Sequence, residues 1–210
     1  MRRHDRRAWW LATGLAVIAG YVDAIGFLHI GGLFVSFMSG NSTRLSVAAA
    51  AGQATALVAA ALIASFVAGV ILGAFVAMAA GTWRKPVVIV TLAALLAAAA
   101  LAEPHDAAVY LMAAAMGSAN AVFQQRGEVS IGVTYMTGTL VKFGQHLAAA
   151  FARRGPAFAW APYLLLWCGL IAGAFAGAVS YPLLAAAALW IAVAAALLLA
   201  AVAVRMGPVG

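Results

Sequence analysis

Charge is what this sequence has least of. Of its 210 residues only 8% are Asp, Glu, Lys or Arg, against 67% hydrophobic. A soluble domain of this length needs far more ionised surface, so a water-soluble fold is excluded. Cysteine is nearly absent. The lone Cys168 rules out an intramolecular disulfide and carries no information on redox compartment. Acidic residues number five, and Asp23 alone falls within an apolar segment; Asp5, Glu103, Asp106 and Glu128 are terminal or lie between segments. No second carboxylate is placed to share a metal or form a catalytic dyad with Asp23. Also missing are a Cys/His cluster at zinc spacing, an HExxH helix, a phosphate-binding glycine loop, and a Ser accompanied by His and acid. These absences set the expectation of a chain that is not an enzyme and uses no metal or cofactor.

What fills the sequence is hydrocarbon. Apolar segments fall at about 9–28, 33–51, 55–80, 87–102, 107–125, 131–152, 160–180 and 183–204, separated by ordinary turn signals such as Gly31-Gly32, Gly52-Gln53 and Arg153 to Pro156. About 20 apolar residues cross a bilayer, so the chain reads as an all-α polytopic membrane protein whose main partner is lipid. The net charge of +7 does not point to nucleic acid. Its cations sit in short clusters beside apolar runs: Arg2, Arg3, Arg6 and Arg7; Arg84 and Lys85; Arg153 and Arg154; Arg205. That is the pattern of the positive-inside rule. The basic start MRRHDRRAWWLATGLAVIAG has the form of a signal peptide. No small-residue cleavage site ends its apolar run, which continues into Tyr21-Val22-Asp23, so it is expected to stay as the first span.

One membrane motif occurs twice. Residues 35–44 read VSFMSGNSTR and residues 133–142 read VTYMTGTLVK, with Val35, Met38 and Gly40 meeting Val133, Met136 and Gly138, and Arg44 meeting Lys142. Upstream, Gly20-x-x-Asp23-Ala24 matches Gly117-x-x-Asn120-Ala121; downstream, residues 68–75 (AGVILGAF) match 168–175 (CGLIAGAF). The chain therefore reads as two tandem halves, 1–104 and 105–210, forming one membrane domain. If all eight segments cross, the halves are parallel, and loop and terminal cations divide seven to three across the membrane. If segments 33–51 and 131–152 dip in and return, six cross, the halves are inverted, and all ten such cations share the cytoplasmic side with both termini. The positive-inside rule favours the second arrangement. Gly40 and Gly138 are expected to mark the turns at depth, with Ser39, Asn41, Ser42, Thr43, Thr137 and Thr139 as helix caps.

Arg44 and Lys142 are the sharpest functional signal, because a cation at mid-membrane costs roughly 2.5–3.5 kcal/mol even on insertion scales. A half-helix starting near Ser42 or Thr139 would aim its amides at the same depth, and cation plus helix N-terminus makes an anion site. The alternative is that both side chains snorkel to an interface. Ser39, Asn41, Ser42, Thr43, Thr137 and Thr139 join them as candidate substrate-binding groups. Asp23 is read either as Arg44's buried partner or as a proton-coupling carboxylate. Its match, Asn120, cannot titrate. Thr139, Lys142 and His146 share a helical face, with a proton relay through His146 weighed against a packing role. Asn120, Gln124 and Gln125 are supporting polar groups, and Tyr21, Phe37 and Tyr135 are taken as packing residues. Gly69/Gly73 and Gly169/Gly173/Gly177 form GxxxG patterns, expected to pack the third segment against the seventh or to form a homodimer.

The run GYVDAIGFLHIGGLFVSFMSGNSTRLSVAAAAG at 20–52, with the second motif around Thr137-Gly138-Thr139, resembles the YoaK family of bacterial multi-pass membrane proteins, a domain-of-unknown-function group. The resemblance covers almost the whole chain. It implies a bacterial cytoplasmic-membrane location and supplies no substrate. From the residues themselves, the expectation is a small secondary transporter or channel for a small anionic or anion-bearing solute. The alternatives are a membrane protein that assists or anchors a partner and, third, an intramembrane enzyme. Single cysteines at Gln53 and Arg84, in a Cys168→Ala background, separate the topologies. The inverted arrangement expects impermeant-reagent labelling from outside at Gln53 and protection at Arg84; the eight-span arrangement expects the reverse.

Overall fold

The computed structural model describes residues 6–125, 128–129, 132 and 134–208, the side chains of Arg6, Gln125, Glu128 and Val129 apart. Expectations placed on Arg2, Arg3, Asp5, Arg126, Val133 and those four side chains lie outside it. The helices are α1 (Arg6–His29), α2 (Met38–Ala50), α3 (Thr55–Ala80), α4 (Arg84–Ala102), α5 (Ala107–Ala119), α6 (Met136–Phe151), α7 (Ala161–Leu184) and α8 (Ala187–Arg205). A 3-10 turn at Gly81–Trp83 separates α3 from α4, and another at Asn120–Phe123 prolongs α5. A short antiparallel ladder pairs β1 (Gln124–Gln125) with β2 (Glu128–Val129).

Long apolar runs without internal turn signals give the long helices. The stretches Arg7–His29, Thr55–Ala102, Ala161–Leu184 and Ala187–Arg205 are long and apolar enough to cross a membrane, and the second of them holds both α3 and α4. Leu57, Phe75, Met78, Leu101, Phe175, Leu183 and Leu198 are exposed on the outer surface, where lipid covers them. Inside, α1 contributes Leu11, Leu15, Val22 and Ile25 to a core shared with Leu92, Leu96, Met112, Met116 and Leu189.

Two glycine-lined seams set the packing. Alpha helix α1 runs along α7, and α5 runs along α3. A Cβ at Gly173 would strike the carbonyl of Val17, and one at Gly177 that of Tyr21; in the other seam, Gly69 lies against the Ala114 carbonyl and Gly73 against that of Ser118. The facing helices carry glycines too, Gly20 against Leu170 and Ala174, Gly117 against Phe66 and Val70. This corrects the expectation that the third segment packs on the seventh. Each pairs instead with the first helix of the other half, because the small residue that admits its backbone is there. The stripe glycines are thereby in close contact within the chain.

The seams also move the sequence match. The contacts equate Gly69 and Gly73 with Gly173 and Gly177, whereas residue-by-residue likeness equates them with Gly169 and Gly173. A stripe repeating every four residues looks the same one turn along, so only packing fixes the register.

Helix directions follow from contacts at the ends. Trp9 meets Tyr163 with ring centroids 5.4 Å apart, near the starts of α1 and α7, and His29 Nδ1 lies 2.8 Å from the Tyr181 hydroxyl, near their ends. The two helices are parallel. The successive contacts of Ala114 and Ser118 with Gly69 and Gly73 make α5 and α3 parallel as well. Glu103, just past α4, lies 3.2 Å from His29, so α1, α4 and α7 end together. At the opposite end Lys85, in the first turn of α4, sits 5.8 Å from the centroid of Phe123, just past α5.

Overpacking a seam is expected to cost about 1–3 kcal/mol. Gly173→Ala and Gly69→Ala should each lower the detergent melting temperature. Gly144→Ala, whose added methyl has nothing within 4 Å, should leave it unchanged or raise it, since Ala is the better helix former by about 1 kcal/mol.

Candidate functional site

The site is built on the chain that leads into α2. After α1 the backbone turns at Gly31 and Gly32, with φ of 68° and 110°, angles that favour glycine. Residues 33–36 then run without helical hydrogen bonds, leaving backbone groups that need partners within the protein. Two side chains supply them. Asp23 Oδ1 accepts the amides of Val35 at 2.9 Å and Ser36 at 2.8 Å. The fully buried Asn41 accepts the amide of Phe34 at 2.9 Å and donates to its carbonyl at 2.6 Å. Met38 then opens α2.

The second half repeats the device with fewer bonds. Asn120 Oδ1 accepts the hydroxyl of Thr134 at 3.0 Å, while its amide group donates to the carbonyls of Met116 and Gly117. Met136 opens α6. Neither α2 nor α6 has a side-chain cap or an acidic residue in its first turn. Their first turns border one cavity of about 300 Å3, lined by residues 36–39, Phe66 and residues 134–138. The positive ends of two helix dipoles therefore meet one space, beside the hydroxyl residues Ser36, Ser39, Thr134 and Thr137 and the rings of Phe37, Phe66 and Tyr135.

The sequence-derived residues divide around this cavity. Ser39 and Thr137 line it; Arg44, Lys142, Asn41, Ser42, Thr43 and Thr139 do not. Arg44 is exposed, with its guanidinium carbon 5.6 Å from the centroid of Phe34 and Nη1 beside Gly32. No carboxylate among the described residues lies within ion-pair distance of it, so the expected Asp23–Arg44 pair is not formed; Asp23 is occupied by backbone amides. Lys142 is exposed on α6. Ser42, Thr43 and Thr139 bond back to carbonyls four residues earlier, those of Met38, Ser39 and Tyr135. Gly40 and Gly138 do not mark the turns. Each is the third residue of its helix, because both helices start at the preceding methionine rather than near Ser42 or Thr139.

His146 stacks on Tyr163 with centroids 5.1 Å apart and planes 8° from parallel, tying α6 to α7. Gln124 is half-buried in the ladder. Tyr21 packs in the α1–α7 seam, its hydroxyl donating to the Ala188 carbonyl and accepting from Ser180. Phe37 and Tyr135, read from sequence as packing residues, are cavity walls. Sequence reasoning missed Ser36, Thr134, Met38, Met136 and Phe66 as lining residues. The first four were visible as matched positions of the doubled motif; Phe66 comes from a distant helix and left no signal.

A family model described as "Protein of unknown function (DUF1275)" matches residues 11–202. The chain is 37% identical over 212 residues to a protein of Rhizobium meliloti (strain 1021) named as a UPF0700 transmembrane protein, covering 98% of this chain and 90% of that relative. No solved structure matches. Asn41→Ala should remove both bonds to Phe34 and cost about 2–3 kcal/mol, measurable as a lower melting temperature. Asn41→Asp, keeping the acceptor and losing the donor, should fall between it and wild type.

Proposed function

We infer the activity of this chain, which belongs to the DUF1275 family of proteins of unknown function, from its own geometry: it is a small membrane transporter or channel that passes a small anionic solute through the cavity between α2 and α6. Helix direction supports the topology this needs. Alpha helices α1, α4 and α7 end together, and α5 starts from that face after the turn at 103–106. Since α3 runs parallel to α5, it starts there as well, so α2 leaves from that face and returns to it. By the same steps α6 leaves from and returns to the opposite face. The chain then has six crossings and two re-entrant helices, with halves 1–104 and 105–210 inverted. The positive-inside rule puts Arg84, Lys85, Arg153, Arg154, Arg205 and both termini on the cytoplasmic side of a bacterial inner membrane.

The observation that carries the anion is the shared cavity. Two helix N-termini without side-chain caps, each equivalent to about half a positive charge, face it with the hydroxyl residues Ser36, Ser39, Thr134 and Thr137 and no fixed charge in its lining. Arg44 and Lys142 lie six residues beyond the starts of their helices, about 9 Å along the axis. Their place is at the two mouths, where a cation concentrates anions without holding them in the cavity. Asp23 is the coupling group. It holds the amides of Val35 and Ser36 at one cavity wall. A proton there removes a negative charge facing the anion and weakens both bonds, which are stronger to an ionised acceptor.

Flux through the purified protein in liposomes tests this. Ser39→Leu with Thr137→Leu should fill the cavity and stop anion flux in a protein that still folds. Arg44→Ala or Lys142→Ala should each slow it about three- to tenfold. Asp23→Asn should conduct without responding to a pH gradient. Undiminished flux in the filled variant, or equal passage of a neutral solute of the same size, would overturn the proposal.

A further inference from the structure

Away from the cavity, one titratable cluster lies where α1, α4 and α7 end. His29 Nδ1 is 2.8 Å from the Tyr181 hydroxyl and 3.2 Å from Glu103 Oε1. The side chains of His29 and Glu103 are 11% and 3% exposed. Glu103 Oε1 is fully buried and receives no hydrogen bond, despite its ion-pair distance from the imidazole. A buried carboxylate oxygen without a donor is costly.

One nitrogen cannot serve both neighbours at once. A neutral Nδ1 with a free lone pair accepts the proton of the Tyr181 hydroxyl and offers Glu103 nothing. A protonated Nδ1 donates along one in-plane direction, and Glu103 is the charged acceptor. The second bond is charge-assisted, roughly twice as strong as a neutral one. Proton uptake therefore moves the end of α1 from a partner on α7 to a partner beside α4. The other ionisable groups nearby are few. His105 and Asp106 are exposed in the turn after Glu103, Arg44 Nη1 is turned to Gly32, and Tyr21 is held by Ala188 and Ser180. The start of α8, Ala187-Ala188-Leu189, offers none.

The position gives this exchange a consequence. His29 is the last residue of α1, and the backbone that enters α2 begins immediately after it. We propose that His29, Glu103 and Tyr181 form a proton-operated clasp at the mouth of the re-entrant segment: protonation fastens the end of α1 to Glu103 and tightens residues 30–36, and deprotonation returns it to Tyr181 and loosens them. The clasp stands on contacts remote from Ser39 and Thr137, and its test uses no flux, so its failure and that of the transport proposal are distinguishable.

Hydrogen exchange on the full chain in nanodiscs, read at about pH 5.5 and 8.0 and corrected for intrinsic rates, measures it. In wild type, amides of 30–36 should be about three- to tenfold better protected at the lower pH, in keeping with the charge-assisted bond. His29→Gln and Glu103→Gln should each erase that difference. Tyr181→Phe should keep it, since the Glu103 bond survives. Exchange in the α3–α5 seam reports that each variant is folded. Equal protection of the wild type at the two pH values, or a difference that persists in both Gln variants, would overturn the clasp.

Discussion

Everything in this fold depends on satisfying non-helical backbone among apolar helices. A chain that leaves helical geometry between apolar segments exposes amides and carbonyls that hydrocarbon cannot solvate, each worth several kcal/mol if left alone. Residues 33–36 survive because Asp23 takes two amides with one oxygen and Asn41 closes on both polar groups of Phe34. Those bonds fix where α2 starts and the direction of its first turn. The cavity exists because α6 is set by the same logic from the other half, and Phe66 of α3 closes the space between them.

The two halves solve the problem unequally. Asn120 spends its amide group on the carbonyls of Met116 and Gly117, leaving one oxygen for the Thr134 hydroxyl. Asp23 has no donor to spend when ionised and gives its oxygen to two amides. The entry to α2 is therefore held by a carboxyl group and the entry to α6 by an amide, which cannot titrate. Among the described residues, the carboxyl group that bonds the cavity wall thus belongs to the first half.

Much of this was legible in the sequence, and the part that was not has a physical cause. Segment limits for α3, α4 and α8 could be read from hydropathy because lipid tolerates few polar residues. The doubled motif holds every lining residue but Phe66, yet of these only Ser39 and Thr137 were read from it as binding groups. Arg44 and Lys142 drew the site toward themselves, since cost in hydrocarbon is the strongest signal a membrane sequence carries. Cost says that a group must be accommodated, not where its tip goes, and a long side chain reaches several ångströms from its own Cα. The pairing of α1 with α7, rather than α3 with α7, was hidden because a glycine stripe fits any close backbone. The start of α2 at Met38 was hidden because no capping side chain marks it; the Met38 amide bonds to the Ser36 carbonyl instead.

That missing cap links structure to the proposed activity. An arginine in the cavity would bind an anion by full charge in a medium of low dielectric and release it slowly. Conduction asks for attraction strong enough to draw the solute in and weak enough to let it go. Two helix ends and the hydroxyls of the lining supply attraction without a counter-ion, and the full charges of Arg44 and Lys142 stay outside the lining. Filling the N-cap positions with a hydrogen-bonding side chain would satisfy the same amides and stabilise the helices by about 1 kcal/mol each. Phe37 and Tyr135 occupy those positions instead. Stability forgone at two matched sites, facing one cavity, is what a binding surface built from backbone requires.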